Sequence, residues 1–158
     1  MSLPSYLISA SLLVCEKILI EKDQVTSAIR IVDIFYVPPL PPIPEGIVMS
    51  EEMKGQYVPV IQAWGFVQIR ANAGHYSEHD LEFRTINTIG EMLTIATAKA
   101  RFDSHVEGAT TGITASAQLN IGVKRLGTCF VCVYLDGEEV ARTPFTLTRP
   151  KADVGQLA

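Results

Sequence analysis

From Ile113 to Val123 the odd-numbered residues Ile113, Ala115, Ala117, Leu119, Ile121 and Val123 are apolar, while Thr114, Ser116, Gln118 and Asn120 between them are polar. Side chains of a strand alternate between two faces, so a period of two sets one apolar face against a core and one polar face toward water. The pattern predicts a half-buried antiparallel strand. A turn over residues 124–127 leads into a second β-rich run, residues 128–135, and Asp136-Gly137 separates that run from residues 138–148. Asp-Gly between two such runs is a strong hairpin signal, because a type I′ turn needs positive φ at both central positions.

The earlier chain reads the same way. Residues 6–20 and 25–37 flank the polar stretch Glu21-Lys22-Asp23-Gln24 and form a long hairpin, with a helical turn over residues 16–22 as the alternative. Residues 57–70 are rich in β-branched and aromatic side chains, and Pro59 marks the start of that strand as an edge or a bulge. Residues 81–86 and 91–102 flank Asn87-Thr88-Ile89-Gly90, a third hairpin. About eight strands with regular turn signals and no helical periodicity predict an all-β fold, a two-sheet antiparallel sandwich of immunoglobulin-like or related type. The 158 residues make one domain, with the sandwich over residues 1–150 and a flexible tail over 151–158.

Two segments break the pattern. Residues 38–44 read Pro-Pro-Leu-Pro-Pro-Ile-Pro, whose proline density enforces an extended backbone outside any sheet, and residues 45–56 have room for one helical turn. A stiff crossover between sheets explains the prolines without a groove-binding role. Residues 38–56 also carry the apolar Leu40, Ile43, Ile47, Val48 and Met49, and a loop this long in a compact domain marks a protein-contact surface. The second segment, residues 71–80, is polar and holds two of the three histidines.

Hydrophobic residues make up 47% of the chain and charged residues 19%, enough apolar surface to fold without a metal or a disulfide. Net charge is -4 and the cations are scattered in sequence, whereas nucleic-acid binding draws on a basic stripe; nucleic acid is therefore set aside as a partner. The apolar residues 6–15 follow no Lys or Arg, end in Val14 before Cys15, and have about half the length needed to span a bilayer. They read as a strand, and the chain as cytoplasmic with no membrane partner.

No P-loop, G-x-G-x-x-G or G-x-S-x-G motif is present. Cys129 and Cys132 have C-x-x-C spacing, but in a strand residues three apart point to opposite faces, so they are read, with Cys15, as buried reduced thiols. His75 and His79, with Glu78 and Asp80 beside them and His105 and Glu107 on another loop, form the most metal-like cluster; set in a flexible polar loop, they are read as solvated histidines. Glu16 and Asp33 interrupt apolar strands. A two-residue turn at Asp23-Gln24 would set them on one apolar face as near-diagonal neighbours, able to share a proton, while a structural role at the rim, such as pairing with Arg30, explains them without chemistry. No catalytic, cofactor-binding or metal-binding residue is assigned.

The phrase Cys15-Glu16-Lys17-Ile18-Leu19-Ile20-Glu21-Lys22-Asp23, followed by Ser27-Ala28-Ile29-Arg30-Ile31-Val32-Asp33, resembles the start of an uncharacterised bacterial domain-of-unknown-function family of small β-sandwich proteins. Leu126-Gly127-Thr128-Cys129-Phe130-Val131 and Leu135-Asp136-Gly137-Glu138 resemble its closing pattern of a glycine, an alternating strand and a hairpin ending near Thr143-Pro144. The resemblance implies a fold and a bacterial source, and no activity. The expected role is a non-enzymatic protein-binding or assembly module whose partner is another protein or a second copy. The alternative is an enzyme or metal-binding protein using the loop histidines or the carboxylate pair.

Overall fold

A computed structural model describes residues 2–23, 25–104 and 106–151. Its strands are β1 (Leu7–Ile20), β2 (Thr26–Ile31), β3 (Ile34–Tyr36), β4 (Val60–Ala71), β5 (Glu78–Ile86), β6 (Met92–Arg101), β7 (Thr111–Gly122), β8 (Gly127–Leu135) and β9 (Glu138–Thr148), with one short helix, α1 (Glu51–Gln56). They form two sheets, a four-stranded one ordered β2-β1-β4-β7 and a five-stranded one ordered β3-β9-β8-β5-β6. The fold is nearly all β. The expected tail, apart from Lys151, lies outside the described residues.

Strand β7 follows its alternation: Ile113, Leu119 and Ile121 are buried, with Ala117. They join one hydrophobic cluster with Leu12 and Val14 of β1, Val67 and Ile69 of β4, and Phe83, Val131, Val133 and Phe145 of the other sheet. Both sheets therefore share a core. At the β8–β9 turn, φ is 51° at Asp136 and 82° at Gly137, the double positive φ that the Asp-Gly pair predicts.

Two expectations fail in the same place. Residues 25–37 form two strands instead of one, and the five-stranded sheet is mixed, because β3 runs parallel to β9 while its other pairs are antiparallel. The chain changes sheets at Val32-Asp33. Val32 N–H donates to Val14 C=O in the first sheet, and Asp33 C=O accepts from Thr146 N–H in the second, at 2.9 and 2.7 Å. Residues 29–37 are mostly apolar and hold no Gly or Pro, so nothing in their composition separates two strands at the crossover. The helical alternative over residues 16–22 is also wrong, since β1 continues to Ile20.

After Tyr36 the chain leaves the sheets. Val37 is buried and its N–H holds Thr148 C=O, but no residue from 38 to 56 is buried. The expected helical turn is α1, capped by Ser50, whose hydroxyl accepts from Met53 N–H.

Candidate functional site

Two regions hold the residues singled out from the sequence. The first lies where β4 ends, β5 begins and β8 turns into β9. Strand β5 starts at Glu78, three residues before the predicted start at 81, and this extension overturns the reading of solvated histidines. Parity puts His79 on the core-facing side with Leu81 and Phe83, where it is 8% exposed, while Glu78 and Asp80 face out. His75, in the preceding loop, is half-buried.

The two imidazoles meet edge to edge, Nε2 to Nε2, at 2.9 Å. On its far side, His79 Nδ1 lies 2.5 Å from Asp136 Oδ2, and Asp136 Oδ1 accepts from Asp80 N–H. An ionised carboxylate only accepts, so His79 donates from Nδ1. When both rings are neutral, His79 Nε2 is then left to accept from His75 Nε2–H. The Tyr6 ring stacks on both imidazoles at 4.4 and 5.3 Å, and Phe102 meets both edge-on. Partial burial opposes ionisation of Asp136, but the hydrogen bonds from His79 and Asp80, with the charges of His79 and Lys99, hold its carboxyl below the usual range. Burial, with Asp136 and Glu138 nearby, pushes the Tyr6 phenol up. The arrangement can pass a proton between His75 and an imidazole anchored on a carboxylate.

Among the described residues no group of three or more His, Cys, Asp or Glu side chains is placed to hold a metal ion. His105 lies outside the described residues, and Glu107 is exposed.

The carboxylate pair does not form. Cys15 pairs with Ile31 and Lys17 with Ile29, and Glu21 N–H donates to Val25 C=O, so three residues connect the strands instead of two. Gln24, in that expected turn, lies outside the described residues. A one-residue shift reverses facing, and it brings Glu16 to Arg30, 3.4 Å apart and largely in solvent. Asp33 is exposed at the crossover between sheets.

Cys15, Cys129 and Cys132 are buried and unbridged. Cys129 belongs to the core cluster, while Cys132 sits on the other face of β8 opposite Arg142. Burial is the leading cause that raises all three thiols, which keeps them in the less nucleophilic form.

The second region is apolar. Strand β1 pairs with β4 from Leu7 to Cys15, then with β2 from Cys15 to Ile20. Beyond Trp64, β4 runs on to Val60 paired with β7 alone. The far half of β1 and β2 therefore leave the sheet as a two-stranded arm. Its register places Leu19, Val25, Ile29 and Ile31 on one face and Ile18, Ile20 and Ala28 on the other. Ile20 is 72% exposed and Ile31 65%, and Ile34 and Tyr36 of β3 continue the exposed apolar run. The exposed apolar side chains thus divide between the two faces of the arm and the outer strand of the other sheet. Leu40, Ile43, Ile47 and Val48 of the proline-rich segment are exposed too, and Met49 is half-buried.

Sequence reasoning missed Asp136 as a histidine partner and the arm as an exposed surface. Asp136 carries no signal beyond its turn. The arm does carry one: Ile18-Leu19-Ile20 is apolar at both parities, which a half-buried strand has no use for.

No family model matches the chain, and no curated protein matches it. Among solved structures, Pseudomonas fluorescens alkylpurine DNA glycosylase AlkC bound to DNA containing an abasic site analog is similar over 57% of this chain and 26% of that one, at 14% identity and a TM-score of 0.36. The chain thus spans about a quarter of that protein, a likeness too low to bear on fold or function.

Proposed function

We propose that this protein is a non-enzymatic assembly module, an immunoglobulin-like sandwich related to the small bacterial proteins it resembles, which docks on another protein surface through the β1–β2 arm. One observation carries the reading: the arm exposes Leu19, Ile20, Val25, Ile29 and Ile31 and, among the described residues, pairs with no strand beyond its own two. An isolated two-stranded hairpin is marginally stable in water, so an arm built this way gains most by being covered. The proline-rich segment adds stiff apolar loop that loses little entropy on docking. A cytoplasmic protein with such a surface needs a protein partner, another chain or a second copy, to keep it from water.

The test is sedimentation of the wild type and of Ile20→Ser/Ile31→Ser across about 1–100 µM, the range of ordinary subunit contacts. The wild type should sediment above monomer mass alone or with a copurifying protein, and the variant should be monomeric with an unchanged melting temperature. A wild type that stays monomeric and free of partners throughout sinks the reading.

A second reading rests on Asp136, His79 and His75, which together resemble the base half of a proton-transfer site. Among the described residues no hydroxyl or thiol is hydrogen-bonded to His75, so this reading lacks a nucleophile and stands behind the first.

A further inference from the structure

At the end of β8 away from the histidines, a cleft of about 580 Å³ opens between the start of the proline-rich segment, the approach to β4, the β7–β8 turn and the chain after β9. Its volume falls among small-molecule sites, roughly 300–1,000 Å³. Three cations line it, Lys124, Arg125 and Arg149, and among the described residues no carboxylate does, in a chain with 17 acidic and 13 basic residues. Lys124 and Arg125 are neighbours in sequence, and the fold brings Arg149 to the same cleft.

The charges are also unspent. Elsewhere Arg84 is 2.7 Å from Glu82 and stacks on Tyr134, and Arg142 makes two hydrogen bonds to Glu139. At the cleft, Lys124 reaches Glu91 only at 3.8 Å, and among the described residues no ion pair engages Arg125 or Arg149. The walls are fixed. Val37 N–H donates to Thr148 C=O and Val123 N–H to Pro59 C=O, both at 2.8 Å, and the Tyr57 hydroxyl donates to Pro41 C=O. Pro38, Pro39, Pro59 and Pro150 stiffen the same walls, so little order is lost when the cleft fills. Leu40 and Leu126 supply apolar surface beside the cations.

We propose that this cleft binds a small organic anion with an apolar body: its carboxylate, phosphate or sulfonate meets Arg125, Arg149 and Lys124, and its body lies against the proline and leucine walls. Guanidinium groups suit such heads because they donate two parallel hydrogen bonds to a planar or tetrahedral oxyanion. Like charges gathered around one cleft also attract an anion before contact.

The probe is 1-anilinonaphthalene-8-sulfonate, with the uncharged N-phenyl-1-naphthylamine as the same body without the charge. Fluorescence titration should show saturable binding of the sulfonate. Arg125→Gln/Arg149→Gln should weaken it about tenfold or more, the scale of losing a charge-assisted hydrogen bond, and should shift binding of the neutral dye by less than about twofold. Both arginines are exposed, so melting should move by no more than about 2 °C. The arm variant Ile20→Ser/Ile31→Ser separates dye held on the arm from dye in the cleft and should leave the sulfonate affinity intact. Equal weakening of both dyes by the arginine substitutions, an unchanged sulfonate affinity in them, or loss of sulfonate binding in the arm variant overturns the proposal.

Discussion

The histidine end and the β1–β2 arm dispose of their unusual side chains in opposite ways. At the histidine end the imidazoles and the carboxylate meet one another within the chain: His75 meets His79, His79 meets Asp136, Asp136 meets Asp80 N–H, and two aromatic rings pack on the imidazoles. In the arm, apolar groups of comparable number meet water. A group satisfied internally has no remaining need of a ligand, whereas an exposed Ile on a marginal hairpin does. The difference points outward from the arm and inward at the histidines, and it is why docking is the better reading than catalysis.

The sharpest way to break that contrast is to show that the arm is core after all. Leu119→Ala, at a fully buried position beside Phe83 and Gly65, should cost about 2–5 kcal/mol, and Ile20→Ser should stay within about 0.5 kcal/mol in chemical denaturation of the monomer. Comparable costs would mean that the arm holds the fold together.

The histidine end can be tested by pH. The folded-state pKa of Asp136 is lowered, so its stabilising contribution is complete above the unfolded value, near 4, and is lost as pH falls through the folded value. Asp136→Asn keeps a residue that tolerates positive φ before Gly137 and removes the charge. Wild type should therefore be more stable than the variant at pH 6, and that margin should shrink on acidification from about pH 5 to about pH 2. A margin independent of pH would leave the His79 contact without energetic weight.

Much of this was legible, and the reasons for the rest are specific. The alternation of Ile113 to Val123 and the Asp136-Gly137 turn are local, so one sequence determines them. The partner of His79 is 57 residues away, and only the packing of two turns at one end of the sheets reveals it. Glu16 and Asp33 depended on the length of one turn: a third residue there moved Glu16 to Arg30. The split of residues 25–37 left only Asp33 as its mark, a polar residue that a strand rim explains as well as a change of sheet, with no Gly or Pro beside it.

The smallest effect sharpens the account of where the arm departs. Arg30 has φ of 53°, a conformation that costs a side-chain-bearing residue about 1–2 kcal/mol, and its ion pair with Glu16 is exposed and therefore worth little. Arg30→Gly should raise stability by about 0.5–1 kcal/mol, seen as a small upward shift of the denaturation midpoint at unchanged slope. A loss of stability would show that the guanidinium supports the arm through more than that pair.

The parallel pairing of β3 with β9 has a consequence for the newborn chain. Ile34, Phe35 and Tyr36 take their hydrogen-bonded positions beside Thr146, Leu147 and Thr148, and Val37 closes on Thr148, so an early strand waits for the last one to be synthesised. Until then the crossover at Val32-Asp33 has one anchor instead of two, and the apolar arm before it and the proline-rich stretch after it hang from an unfinished edge. Contacts so distant along the chain form slowly, and exposed apolar strands are the species that aggregate while they wait. The same pairing makes the final strand a latch: a chain ending before Phe145 lacks every β3 partner and would release the arm's base at the moment its apolar surface is least protected.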